Sequence, residues 1–242
     1  MHMKNIARSI MKYRVKPHTS KLEKFARVYE KNPLLKALVQ IVPYCGPIIN
    51  SAIGAELNYI NAERTKAFFD ELLDGKIELT PELIKTEDFL HCYFATVNAA
   101  LHTRRREKIK MYARLLCSGV STKDISRTDE YEEYLCILSE LSYREITVLC
   151  LLDEYEANNP AKQGENNAQQ VDRYWDAFRN DMVKRLSISD EDINPIIVRL
   201  QRSGCFESLT GKVFQNIEQA GVLSAFYYKL KGLVKNKEGK FA

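Results

Sequence analysis

Apolar residues recur at helical spacing along most of the chain, and the clearest run lies between Trp175 and Phe206. Trp175, Phe178, Met182, Val183 and Leu186 mark one face of a first helix. Ile193, Ile196, Ile197 and Leu200 mark one face of a second, which stops at Ser203-Gly204. Only Ser187-Ile188-Ser189 separates the two apolar patterns. Helices joined by so short a polar turn fold against each other, as in a helix-turn-helix. Cys205-Phe206-Glu207-Ser208-Leu209 then reads as a strand. Thr210-Gly211 turns it into Lys212-Val213-Phe214, a hairpin that would form a wing. Val222 to Tyr228 reads as a third strand, and a basic helix from Lys229 closes the chain.

Upstream the pattern is helical throughout. Ser20-Lys21-Leu22-Glu23 is a capping box before a face of Leu22, Phe25, Ala26 and Tyr29. Leu34 to Ala55 is the most apolar stretch, with Lys36 as its one charge. Pro43, Gly46 and Pro47 break it, so it predicts two bent helices, Leu34–Val42 and a second from Ile48 to about Leu73, stopped by Asp74-Gly75. Thr80-Pro81-Glu82 predicts a helix start with Thr80 as N-cap. Thr86-Glu87-Asp88 opens a longer helix with a stripe of Leu90, Phe94, Val97 and Leu101, bending near Thr103 and continuing through Ile109, Tyr112, Ala113 and Leu116. Thr128 caps a helix whose inner side is Tyr131, Tyr134, Leu135 and Leu138. Ser142-Tyr143-Arg144-Glu145 is a second capping box, before Ile146, Leu149 and Leu152. Asn158 to Asn167, with Pro160 and Gly164, reads as a loop.

The expected fold class is therefore mainly α: an N-terminal helical domain followed by a C-terminal winged-helix (helix-turn-helix) domain. The expected parts are a basic arm over 1–18, a helical domain over 19–128 and a winged-helix-like domain over 129–242, whose first helix is Tyr143–Tyr155.

Composition changes this picture little. A hydrophobic fraction of 45% and a mean hydropathy of −0.34 over 242 residues fit a soluble protein with an adequate core. Net charge is only +4, but it is blocked along the chain. Residues 1–36 carry ten Lys/Arg and two acids, residues 104–128 eight and two, and residues 129–169 two and ten. The six cysteines (Cys45, Cys92, Cys117, Cys136, Cys150, Cys205) form no CxxC pair, and most sit beside apolar neighbours. They read as reduced thiols of a cytoplasmic protein. The start, Met1-His2-Met3-Lys4, has no long apolar run behind it, so no secretory leader is expected.

Candidate chemistry is sparse. His91 and His102 would share a helix face but lack a third ligand, so no metal site is expected. No GxGxxG, GxxxxGK[ST] or nucleophile signature occurs, and no cofactor or enzymatic activity is expected. Two surfaces remain. Arg104, Arg105, Arg106, Lys108, Lys110 and Arg114 form the densest basic cluster, a candidate contact for anions, nucleic acid or lipid. Its alternative is a solvated face paired with Glu107 or the acids of 129–133. Asn194, Arg199, Arg202, Lys212, Lys229 and Lys231 form the candidate contact surface of the winged helix. A recognition helix offers its N-terminal turn to the major groove, but here that turn is Ser189-Asp190-Glu191-Asp192. Three acids suit the helix dipole and repel phosphate.

The order of features resembles a set of uncharacterised bacterial helical plus winged-helix proteins associated with mobile elements or phage defence. The likeness rests on Pro43-Tyr44-Cys45-Gly46-Pro47-Ile48-Ile49-Asn50, the RRREKI of Arg104–Ile109, the YARLL of Tyr112–Leu116 and the LSYRE of Leu141–Glu145. It spans about residues 40–235 and implies a phage-defence-related role without catalytic residues. The leading expectation is a non-enzymatic interaction or regulatory protein that docks a protein partner, with self-association as a further mode. One alternative is a membrane-acting effector, peripheral at an anionic membrane, using the basic arm and segment 34–55. The other is a DNA-binding regulator.

Overall fold

The fold is that of a computed structural model, which describes residues 33–42, 52–75, 77, 79–121, 128–209 and 220–236. It is mainly helical. Its elements are α1 (Pro33–Gln40), α2 (Ala52–Asp74), a 3-10 turn (Leu83–Lys85), α3 (Glu87–Leu101), α4 (Arg106–Ser121) and α5 (Thr128–Glu140). There follow α6 (Tyr143–Asn158), α7 (Asn167–Asp172), α8 (Trp175–Leu186), α9 (Asp190–Arg202), β1 (Phe206–Ser208), β2 (Gly221–Leu223) and α10 (Ala225–Val234). The chain divides into two compact units at Val42/Pro43. In the first, α1 is amphipathic, with Leu35 and Leu38 buried and Lys36 and Ala37 exposed. The basic arm over 1–18, the Ser20 capping box and the Pro43–Asn50 segment lie outside the described residues.

In the second unit α4 lies at the centre of the helical part, packed against α2, α3, α5 and α10. Its register follows from its apolar positions: Ile109, Met111, Tyr112, Ala113, Leu115 and Leu116 are all buried. A helix that apolar around its girth is stable only when neighbours cover several faces. Against it, α3 buries Phe89, Cys92, Tyr93, Thr96, Val97, Ala100 and Leu101. This corrects the stripe expected from spacing. Leu90 is half-buried and Phe94 is 39% exposed, because α3 packs on α2, α4 and α5 at once and its inner face centres on Tyr93, Thr96 and Ala100. Thr96 faces α5 directly, sharing a hydrogen bond of 2.5 Å with the Tyr131 hydroxyl. The expected bend near Thr103 is a full break at His102–Arg105, with α4 starting afresh at Arg106. The Arg64 guanidinium donates to the Leu101 carbonyl at 2.5 Å, placing a cation at the end of α3 where the helix dipole favours it.

Thr80 accepts from the Leu83 N–H at 3.2 Å, as an N-cap should, yet only one 3-10 turn follows instead of the expected helix. Thr86 ends it by donating to the Leu83 carbonyl at 2.8 Å and caps α3 by accepting from Phe89 N–H at 3.3 Å. The second capping box forms as expected. Ser142 Oγ accepts from Glu145 N–H at 3.2 Å, and Glu145 Oε2 accepts from Ser142 N–H at 2.7 Å. The loop expected over Asn158 to Asn167 ends where a short helix, α7, begins, capped by its own box between Asn166 and Gln169.

The C-terminal part packs α8 on α6, α7 and α9. Trp175, Phe178 and Met182 from α8 and Ile193, Ile196, Ile197 and Leu200 from α9 are buried, in the pattern expected. Between them Ser187 takes a left-handed conformation (φ 54°), and Gly204 does the same after α9 (φ 76°), where a glycine carries no Cβ penalty. β1 pairs antiparallel with β2, Phe206 opposite Leu223 and Ser208 opposite Gly221. The expected strand over Val222–Tyr228 is cut short at Leu223. Ser224 Oγ accepts from Tyr227 N–H at 3.1 Å and starts α10, four residues before the helix expected from Lys229. Thr210 to Phe214, the expected wing, lies outside the described residues.

Helix α10 returns to the helical part. Ser118 and Arg114 of α4 donate to the carbonyls of Leu233 (2.8 Å) and Val234 (3.2 Å) at its C-terminus. Phe226 stacks on Tyr134 of α5 with ring centroids 5.2 Å apart, and Lys231 pairs with Asp153 of α6 at 2.5 Å. No described helix is long and apolar enough to cross a membrane.

Candidate functional site

The six-residue basic cluster does not stay together. Lys108 is buried (8% exposed) and donates its amine protons to the carbonyls of Ser139 at 2.9 Å and Leu141 at 2.6 Å. Its ammonium also lies 5.8 Å from the centre of the Tyr112 ring. Burial lowers its pKa from the usual lysine value to about 8, with Glu145 acting in the opposite direction. Arg114 binds Glu71 at 2.7 Å, and Lys110 approaches the same carboxylate at 3.7 Å. Thus Glu71 of α2, rather than the acids of 129–133, is their partner. Of those acids, Glu132 pairs with His91. Arg104, Arg105 and Arg106 remain exposed, and no ion pair is found for them among the described residues. The Arg105 guanidinium lies over the Tyr143 ring, 5.4 Å from its centre. Sequence spacing hid this aromatic contact, because Tyr143 is brought to the arginines only by the packing of α4 beneath the α5–α6 turn.

The second candidate surface is also divided. Asn194 accepts a long hydrogen bond (3.4 Å) from Arg179 of α8. Arg199 forms a two-pronged pair with Glu145, Nε to Oε1 at 2.7 Å and an Nη to Oε2 at 3.2 Å. Glu145 is buried and still caps α6, so one carboxylate locks both the start of α6 and the flank of α9. Arg202 is exposed and lines an open cleft of about 500 Å³ with Glu140, Leu141, Glu145, Arg199 and Ser203. The cleft is lined by two acids and two arginines, which leaves it without a field of one sign. Lys229 is exposed, Lys231 is engaged by Asp153, and Lys212 lies outside the described residues.

At the head of α9 the acids keep their negative field. Asp190 and Glu191 are exposed, and Asp192 pairs with Arg144 of α6 at 3.0 Å. Hydrogen bonds from Arg144 and then Ser189 hold the Asp192 carboxyl below the usual range. Along α9 the outward residues Glu191, Pro195, Val198 and Arg202 follow one another at helical spacing and are all exposed. The sequence spacing alone does not mark this stripe as a surface. Only the burial of Ile193, Ile196, Ile197 and Leu200 shows which side remains outside.

No protein family, characterised protein or solved structure matches the chain. Chemical reading of the site therefore rests on its own side chains. Among the described residues no three His, Cys, Asp or Glu side chains gather as a metal site would require. The thiols of buried Cys117 and half-buried Cys150 are pushed up to about 12 and that of buried Cys92 to about 11, first of all by desolvation. Thiols held so far toward the protonated form are poor nucleophiles.

Proposed function

We propose that α6 to α10 form a winged-helix module used to dock a protein partner, and that the chain is a non-enzymatic interaction protein. The observation that carries this reading is the outward stripe of α9. In a DNA-reading helix-turn-helix this side enters the major groove, where Arg, Lys, Asn or Gln read bases and phosphates attract cations. Here the stripe runs acid, proline ring, branched aliphatic, base. Val198 is 40% exposed although branched and apolar, and Asp190 adds a second acid at the head of the stripe.

A partner fitting this stripe presents an apolar side chain to Pro195 and Val198. It carries a base toward Asp190 and Glu191 and an acid toward Arg202. Such a surface gives an apolar centre with a charged rim, the arrangement of transient protein interfaces. A role linked to phage defence is the context that the sequence resemblance adds.

The test compares the wild-type chain with Val198→Asp. Each is used as bait in a bacterial lysate, and the captured protein is then purified and titrated against both. The expected result is a partner whose affinity falls at least about tenfold in the variant, the usual size of a central interface loss. Equal binding to both chains overturns the reading. So does a hydrolytic activity of the pure wild-type protein that a single substitution abolishes.

A further inference from the structure

We infer that Arg104, Arg105 and Arg106, with Arg105 seated on Tyr143, form a sequence-independent contact for the phosphate backbone of a nucleic acid, distinct from the outer face of α9. The argument starts from contrast. Of six cations in this stretch, Lys108, Lys110 and Arg114 are taken up by two carbonyls and Glu71. The remaining three are consecutive and exposed, and no ion pair is found for them among the described residues. Glu107, the next residue, makes no ion pair with them among the described residues. Arg144, beside Tyr143, is engaged by Asp192.

Three adjacent guanidiniums also stand where the helix dipole opposes them, at the start of α4. Like charges held at a positive helix end destabilise the free protein and are relieved when an anion arrives. Arg105 is already ordered by its stacking on Tyr143, so less side-chain entropy is lost when it binds.

The geometry favours a repeating anion over a single phosphate. Residues 103–105 have no regular structure and Arg106 is the first helical residue. Successive side chains of such a link diverge, so the three forks reach separate phosphates along a backbone. A lipid surface fits less well. Membrane attachment needs apolar side chains beside the cations. The exposed large apolar residues in the described structure are Ile41, Tyr59, Phe94, Val198 and Tyr228, none of them within the arginine link, and the Tyr143 ring is covered by Arg105.

The experiment is a fluorescence anisotropy titration of the full chain against labelled oligo(dT) and a mixed-sequence duplex at several salt concentrations. Vesicles of phosphatidylcholine and phosphatidylserine are run in parallel. Three phosphate contacts predict a log–log salt slope containing about −2 for the single strand or about −3 for the duplex. Replacing all three residues (Arg104→Gln, Arg105→Gln, Arg106→Gln) should remove that part of the slope and weaken low-salt binding at least about tenfold. Tyr143→Leu should weaken it about two- to fivefold through loss of the ring face. Lys110→Gln should change it little. Thermal unfolding of each variant separates loss of contact from loss of fold. Unchanged affinity and slope in the triple variant overturn the inference, as does absence of binding to either nucleic acid at low salt. Vesicle binding that depends on the three arginines, without nucleic-acid binding, assigns the site to lipid and overturns it as well. Failure here leaves the α9 reading untouched, because Val198 and the arginine link are tested by different ligands.

Discussion

Lys108 of α4 and Leu141, in the turn between α5 and α6, are joined by a 2.6 Å hydrogen bond from the buried ammonium to the Leu141 carbonyl. The same ammonium donates to Ser139 in the last turn of α5. The last carbonyls of a helix have no intrahelical partner, and a cation placed there satisfies them and suits the dipole. Ser142, next along the chain, is the N-cap of α6. One lysine thus pins the α5–α6 turn onto the central helix α4, against which α10 also packs.

Lys108→Met should lower stability by about 2–3 kcal/mol at neutral pH, because it leaves two carbonyls without their donor. The pH dependence has a defined sign. Folding lowers the Lys108 pKa to about 8, below the value of the unfolded chain, so between about pH 8 and 10.5 the unfolded chain binds more protons. The Lys108 contribution to stability therefore rises with pH across that window, by at most about 1.4 kcal/mol per unit. Buried thiols act in the opposite direction, since folding raises their pKa, but they are common to both chains. Urea unfolding of wild type and Lys108→Met at pH 7, 8, 9 and 10 reads the difference. A gap that narrows with rising pH would show that the ammonium, rather than the amine, is favoured by this site.

Gly221 faces Ser208 across the short sheet, and a Cβ there would fall 2.2 Å from the Glu207 carbonyl oxygen and 2.3 Å from the Phe206 ring. Neither neighbour is the loose end of a flexible side chain. Gly221→Ala should cost about 1–3 kcal/mol and separate β1 from β2. A thermal midpoint equal to wild type would contradict this packing.

Local chemistry was readable from the residues alone. The Ser142–Glu145 box needs only two residues three apart, and the inner side of α5 needs only one face of one helix. The buried faces of α8 and α9 were readable for the same reason. What escaped depends on distant packing. The burial face of α3 shifted because three helices share it, and the basic cluster divided because Glu71, far upstream, takes two of its members. The start of α10 moved because Ser224 can cap a helix or continue a strand. Its capping by Arg114 and Ser118, more than a hundred residues away, helps fix the helix in place.

Glu145 serves two partners, so its loss should exceed the loss of either. Ser142→Ala removes one cap bond and should cost about 1 kcal/mol. Arg199→Ala removes an exposed arm of the pair and should cost up to about 1 kcal/mol. Glu145→Ala removes both bonds and leaves the Ser142 N–H and the arginine unmatched, for about 2–3 kcal/mol. Chemical denaturation of the three variants provides the comparison. A Glu145→Ala cost no larger than that of Ser142→Ala would mean that the pair with Arg199 contributes nothing.

Pro195 connects stability to the proposed function. It stands inside α9, where its ring replaces the N–H that would bond the Glu191 carbonyl. An interior proline costs a helix about 3 kcal/mol relative to alanine, yet α9 runs unbroken through it. Its neighbours Ile193, Ile196 and Ile197 supply the burial that holds the helix despite this cost. The ring itself is exposed, between Glu191 and Val198 on the outward stripe. Pro195→Ala should therefore raise stability by about 1–3 kcal/mol, read as a higher urea midpoint, by restoring the missing hydrogen bond. If the stripe docks a partner, the same substitution weakens capture while the protein becomes more stable, because an exposed rigid apolar surface is lost from the centre of the contact. A variant that is more stable and binds the partner as well as wild type would remove Pro195 from the docking face and leave Val198 to carry it alone.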